Sequence, residues 1–384
     1  MYNKKSKFII ALSAVAVLVL LLGITLGLDG NQRYNGPSSD ITTGPCRLEL
    51  NRFDDEVYLV NDVVVEWMNS EKSAQSLYDA FRSEGKLDLP MSVTVSYTVS
   101  NLPLGVSVTA QTVEVAENEQ FDNATVHTVA AHKRRLDIFN LKVNTQYYYR
   151  VTVNLSDGRR LVETDSFNTA QSPRFIYVDG VRNVRDIGGY KTVDGKTIRQ
   201  GLFYRGTEAD GAGSKKYFIT EAGVDTFVNE LGIVTELDLR SSTFEGVKDT
   251  LGDTVKHSYH SYLAYMDTFT EHGNKKNKEL FSILAKEETY PVYLHCSYGA
   301  DRTGTFCYLL GALLGMSEED LHREWELSIF FAGGAFEEDM EKFLAHLSTF
   351  KGDTIQQKVE NYLLSIGVTK SEINSIRNKF LYTE

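Results

Sequence analysis

Cysteine is scarce in this chain. Cys46, Cys296 and Cys307 are its only thiols in 384 residues, too few for a disulfide framework. No CxxC pair and no HExxH motif occurs, so nothing points to a metal site, and no cofactor is expected. Positive charge is also sparse, and the formal net charge is −12. Beyond Lys4, Lys5 and Lys7 and the short HKRR at 132–135 there is no basic block, which argues against a nucleic-acid partner. Hydrophobic content of 42% and charged content of 24% are ordinary for a globular protein and exclude large disordered tracts. The length calls for two domains.

One long apolar run is present. Residues 8–28 carry no charge, and as a helix they would span about 30 Å, the thickness of a bilayer core. The three lysines before it predict a cytoplasmic tip at 1–7 and place everything beyond Asp29 outside. A cleaved signal peptide, which would make the protein secreted, is the alternative. Its apolar region is shorter, about 7 to 15 residues, and ends at small residues. GITLGLDG offers no such site, so a membrane anchor is favoured. Residues 29–45 read as a polar tether bearing Gly, Ser and Pro.

From 46 to 170 the signals are period-2 alternation and turns. VYLVNDVVVEW, MSVTVSYTVS, VSVTAQTVEVA and ATVHTVAAH predict strands, and AQSLYDAFRSEG a helical insertion. A last hairpin carries Tyr147, Tyr149, Val151 and Val153, turns at Asp157-Gly158 and returns through Val162 and Phe167. With Leu141 and Thr145 ahead of Tyr147, this run resembles the final hairpin of a fibronectin type III sandwich, whose tyrosine corner would be Tyr147. The resemblance implies an all-β module serving as spacer or as the binding domain for a surface partner.

After Ser172-Pro173 strands alternate with helices. FVNELGIVTELDLRSS, NKELFSILAKEE, YPVYLHC, RTGTFCYLLGALLG and SEEDLHREWELSIFF predict an α/β domain over 171–384 around a mostly parallel sheet. Ser317 is the expected N-cap of the last of these helices.

The stretch YPVYLHCSYGADRTGTFCYLLGALLG runs from strand through a glycine turn into a helix. Such a turn aims several backbone N–H groups into one cup with the positive end of a helix dipole behind it. Gly299 relieves crowding where backbone meets ligand. Arg302 closes the loop, and its planar fork suits two oxygens of a phosphoryl group. Cys296 lies at the floor, where these groups favour its thiolate. A thiolate beneath a bound phosphoryl group is placed for in-line attack and a cysteinyl-phosphate intermediate. Cys307, further along the helix, reads as a small buried residue.

HCSYGADRTG matches the H-C-x5-R-[ST]-G signature of cysteine-dependent phosphatases. Together with VRNVRDIGGY, GLFYRGTEAD, LGIVTELDLRS and GMSEEDLHREWELS, it resembles the atypical bacterial tyrosine/lipid phosphatase family. The likeness runs over 175–382 with the motifs in family order. It implies Cys296 as nucleophile, Arg302 as phosphate clamp, and a phosphate-binding backbone over Ser297, Tyr298, Gly299, Ala300 and Asp301. Thr303 would stabilise the departing thiolate, and His295 would support the loop. No WPD sequence occurs. Asp301 is the first choice for general acid, with orientation of Arg302 as its other role, and Asp238 and Asp267 are alternates. Arg185 and Asp186 are expected to form a structural ion pair beside the pocket. Tyr298 would stack on a substrate ring or pack on a neighbouring loop.

Many members of that family carry Lys where Ala300 stands, which favours phosphotyrosine over phosphoinositide or inositol-phosphate substrates. The substrate would be a phosphorylated protein, peptide or lipid. A rhodanese-like sulfurtransferase also uses a loop cysteine but lacks the R-T-G continuation. A surface protein that only recognises phosphate is the remaining alternative, and intact Cys296, Arg302 and Thr303 argue against it.

Overall fold

The computed structural model describes residues 44–244, 250–333 and 336–383. The expected anchor at 8–28 lies outside the described residues, as does nearly all of the tether. Among the described residues no helix is long and apolar enough to cross a membrane.

Residues 46–170 form seven strands and two helices. In order these are β1 (Arg47–Leu50), α1 (Asp62–Met68), α2 (Ala74–Phe81), β2 (Val93–Ser100), β3 (Val108–Ala116), β4 (Thr125–Val129), β5 (Arg135–Ile138), β6 (Gln146–Leu155) and β7 (Arg160–Asn168). They make two antiparallel sheets, ordered β1-β2-β5 and β4-β3-β6-β7. Val93, Val95 and Tyr97 from one sheet and Val113, Tyr149, Val151 and Val153 from the other share one apolar core. The Lys142 N–H donates to Tyr147 Oη at 2.9 Å.

One expected strand is a helix. VYLVNDVVVEW keeps only isolated bridges at Val57 and Val60. Then the Asn61 side chain accepts from the Val63 N–H at 2.9 Å and caps α1. Val63, Val64 and Trp67 are buried along one face of that helix. Their i, i+1, i+4 spacing and burial outweigh the β preference of three consecutive valines. With α1 and α2 between β1 and β2, the module is not all-β.

The second part is built on a mixed six-stranded sheet. Its strands are β8 (Arg174–Phe175), β9 (Arg185–Asp186), β11 (Phe203–Gly206), β12 (Thr235–Asp238), β13 (Lys256–Tyr259) and β14 (Val292–His295), while β10 (Thr197–Ile198) pairs apart with β15 (Leu381–Tyr382). The order is β13-β12-β14-β11-β9-β8, parallel from β13 to β11 and antiparallel beyond. Helix α3 (Glu221–Asp225) precedes β12, and α4 (Glu271–Leu284) precedes β14. After β14 come α5 (Asp301–Leu314), α6 (Glu318–Glu326), α7 (Ile329–Ala332), α8 (Glu337–Leu347), α9 (Ile355–Ser365) and α10 (Lys370–Phe380).

Every residue of β14 is buried, as its central place in a two-sided sheet requires. Val292 and Leu294 face a core shared with Phe306, Leu309, Phe343 and Ile376, and Tyr293 faces the other side with Val184 and Phe227. The register sets Asp238 and Gly206 beside His295. The three strands therefore end level, and the loop after His295 opens at their carboxyl ends, where ligands bind in open α/β sheets.

Candidate active site

Cys296 follows β14 directly and is buried. Gly299 turns the loop at φ +67°, and a Cβ there would lie 2.3 Å from the Gly206 carbonyl oxygen. Both the left-handed backbone and the close approach require glycine. Asp301 opens α5, so the free N–H groups of its first turn belong to the loop.

Burial pushes the Cys296 thiol up, but the Arg302 charge and the hydroxyl and N–H of Thr303 outweigh it, and its pKa is lowered. Thr303 Oγ1 is buried and has no nitrogen or oxygen partner, leaving it to the sulfur. Arg302 is held loosely: Nη1 donates to the Leu239 carbonyl at 3.3 Å and Nη2 lies 3.5 Å from Ser297 Oγ. A guanidinium with such weak partners is available to an anion.

Asp301 is shifted the opposite way. Burial raises its carboxyl pKa against the pull of Tyr265 and Arg302. Tyr265 Oη donates to Asp301 Oδ1 at 3.0 Å, and Trp325 Nε1 donates to Tyr265 Oη at 3.3 Å. Tyr265 has φ +48°, uncommon for a bulky side chain. Asp267, on the same turn, is exposed. Asp238 accepts from Arg240 Nη2 at 2.6 Å. Against its burial, His295, His257 and Arg240 hold its carboxyl well below the usual range, so at neutral pH it has no proton to give.

His295 Nε2 lies 2.9 Å from Glu236 Oε1. Burial disfavours the imidazolium, yet Asp238 and Glu236 raise its pKa to about 9. Tyr298 is 42% exposed and packs edge-on against Tyr217 at 6.1 Å.

Arg185 and Asp186 do not pair with each other. They are neighbours on β9, so their side chains point to opposite faces. Asp186 accepts from Arg174 Nη1 at 2.7 Å, while Arg185 Nε donates to Glu324 Oε1 at 2.7 Å. Glu324 also accepts from Arg205 Nη1 at 2.6 Å, and Arg205 Nη2 holds the Gly299 carbonyl at 2.6 Å. Two buried arginines on one glutamate put net positive charge beneath the loop. Arg205 alone of the two fixes a carbonyl of the loop backbone. Arg205, Asn183 and Glu324 lay within the quoted motifs without a role, and Tyr265 carried no local signal.

Residues 176–382, more than half of the chain, match the tyrosine phosphatase family. The chain belongs to that family. It is a phosphoric monoester hydrolase of the cysteine type. A solved structure, the core catalytic domain of the PP-IP phosphatase SIW14 from S. cerevisiae in complex with citrate, is similar at 15% identity and a TM-score of 0.28. The match covers 46% of this chain and 86% of that one. No curated protein matches by sequence.

Proposed function

We propose that this family member hydrolyses phosphotyrosine through a cysteinyl-phosphate. Arg302 and the N–H groups of 297–301 take the phosphoryl oxygens. Cys296 Sγ attacks phosphorus, the bond to the bridging oxygen breaks, and the Asp301 proton goes to the leaving phenolate. Water then attacks the thiophosphate, its proton passes to Asp301, and Thr303 steadies the departing thiolate. His295, Asp238, Arg185 and Asp186 act as supports.

The opposed shifts at Cys296 and Asp301, within one short loop, carry this reading. A nucleophile needs its proton lost and an acid needs it kept, and environments that separate two such groups assign the roles. Ala300, where many members of the family carry Lys, favours an aryl phosphate over a multiply charged headgroup. The strand orders and the Tyr147 corner support a fibronectin III-like reading of the sandwich. The charge pattern of 1–28 supports an anchored enzyme facing outward.

Phosphate release by residues 31–384 tests the reading on phosphotyrosine peptides, phosphoserine peptides, phosphoinositides and inositol hexakisphosphate, with Cys296→Ser as the blank. Turnover of the phosphotyrosine peptides by wild type alone is expected. Preference for an inositol phosphate or lipid would reassign the substrate class. Phosphate binding without turnover would make the cup a recognition site.

A further inference from the structure

The loop is braced from outside the catalytic domain. Asp88, after α2 in the insertion of the β-sandwich, is fully buried. Its carboxylate accepts from Arg182 Nε at 2.9 Å and Nη2, and from the Asn183 N–H at 3.0 Å. Asn183, also fully buried, sits at φ +54°. Its Nδ2 donates to the Tyr298 carbonyl at 3.2 Å and to Ser328 Oγ at 3.3 Å, and its Oδ1 accepts from Arg185 Nη1. A continuous chain of bonds therefore runs from Asp88 through Asn183 to the backbone of the phosphate loop.

The insertion is tied down around Asp88. Val64, Trp67, Ala74 and Leu77 share a buried apolar cluster with Phe175, Leu327, Ile329 and Phe330. Arg323 Nη1 donates to the Met68 carbonyl at 3.0 Å, and its guanidinium lies 5.5 Å from the Trp67 ring. Residues 46–384 form one compact unit. Asp88 nevertheless stands well before residue 176, where the family match begins.

We infer that Asp88 is a positioning residue for phosphate binding, supplied by the sandwich to the catalytic loop. The carboxylate fixes Asn183 in its left-handed turn, and Asn183 holds the Tyr298 carbonyl outward so that the adjoining N–H groups face the phosphate. If Asp88 loses its charge, the bonds from Arg182 and the Asn183 N–H lose their charge assistance, the left-handed Asn183 is held less firmly, and the loop loses the preorganisation on which anion stabilisation depends. The sandwich is thus part of the catalytic apparatus rather than a spacer. This inference rests on the phosphatase reading above.

The test compares wild type with Asp88→Asn and Leu77→Ala in residues 31–384. Asp88→Asn keeps the shape and removes the charge, while Leu77→Ala loosens the same insertion without touching the bond chain. Three quantities are read: kcat and KM on a phosphotyrosine peptide, the inhibition constant of inorganic phosphate, and hydrogen exchange of the peptide covering 296–302. Asp88→Asn is expected to lower kcat/KM about 10- to 100-fold, the range typical of groups that orient a first contact. It should weaken phosphate inhibition and speed exchange in the loop. Leu77→Ala should lower the unfolding midpoint and leave all three near wild type. Unchanged kinetics, inhibition and exchange in Asp88→Asn would overturn the inference, as would equal losses in Leu77→Ala. If wild type turns nothing over, the phosphatase reading fails, and loop exchange alone decides the role of Asp88.

Discussion

Cys296 and Asp301 are five residues apart and need opposite protonation states. The acid limb of kcat/KM should report the thiol, because activity is gained as pH rises through its lowered pKa. The alkaline limb should report Asp301, because activity is lost as pH rises through its raised pKa. Asp301→Asn should lower kcat on a phosphotyrosine peptide by about 100- to 10,000-fold and abolish the alkaline limb. On an ester of p-nitrophenol, whose leaving group needs little protonation, the loss should be far smaller. Equal losses on both substrates would mean that Asp301 orients Arg302 instead. The loop was legible in the sequence because its chemistry is local: strand end, glycine turn and helix start lie within ten residues. Tyr265, which donates to Asp301, was not legible, since no spacing ties it to a loop more than thirty residues later.

At the scale of elements, β9 shows where sequence reading stops. Arg-Asp adjacency suggested a pair, but alternation along a strand sends neighbours to opposite faces. The true partner of Arg185 is Glu324 on α6, brought in by tertiary packing that no local pattern encodes. The same limit applies to 61–68, where an asparagine cap and one buried face overrode a run of valines. Glu324 bridges Arg185 and Arg205, and all three are buried. Removing one partner of a buried ion pair leaves uncompensated charge, typically costing about 3–5 kcal/mol. Glu324→Gln should destabilise by about that amount in urea titration. It should also weaken phosphate binding, because Arg205 would no longer be held against Gly299. A loss below about 1 kcal/mol, the range of exposed pairs, would show that the network is solvated in solution.

For the whole molecule, a change of texture near Ser172-Pro173 lies where the two sandwich sheets give way to the mixed sheet, whereas the packing that joins 46–384 into one compact unit could not be read. The surfaces that join them are short segments distant in sequence: the insertion at 61–91, Asn140 to Val143, and Gln200. Gln200 Oε1 accepts from the Val143 N–H at 2.9 Å, and its Nε2 donates to the Val143 carbonyl at 2.9 Å. Arg174 Nε donates to the Leu141 carbonyl at 2.9 Å. A spacer domain would unfold by itself, in a transition separate from that of the catalytic sheet. A sandwich that covers Phe175, Leu327, Ile329 and Phe330 and supplies Asp88 should unfold together with it, because neither part keeps its buried surface alone. Calorimetry of residues 31–384 should therefore give one transition whose van't Hoff and calorimetric enthalpies agree. Residues 171–384 alone should melt lower and aggregate through the exposed cluster. Two resolved transitions, with the isolated catalytic part melting at the temperature of one of them, would show that the domains are merely adjacent.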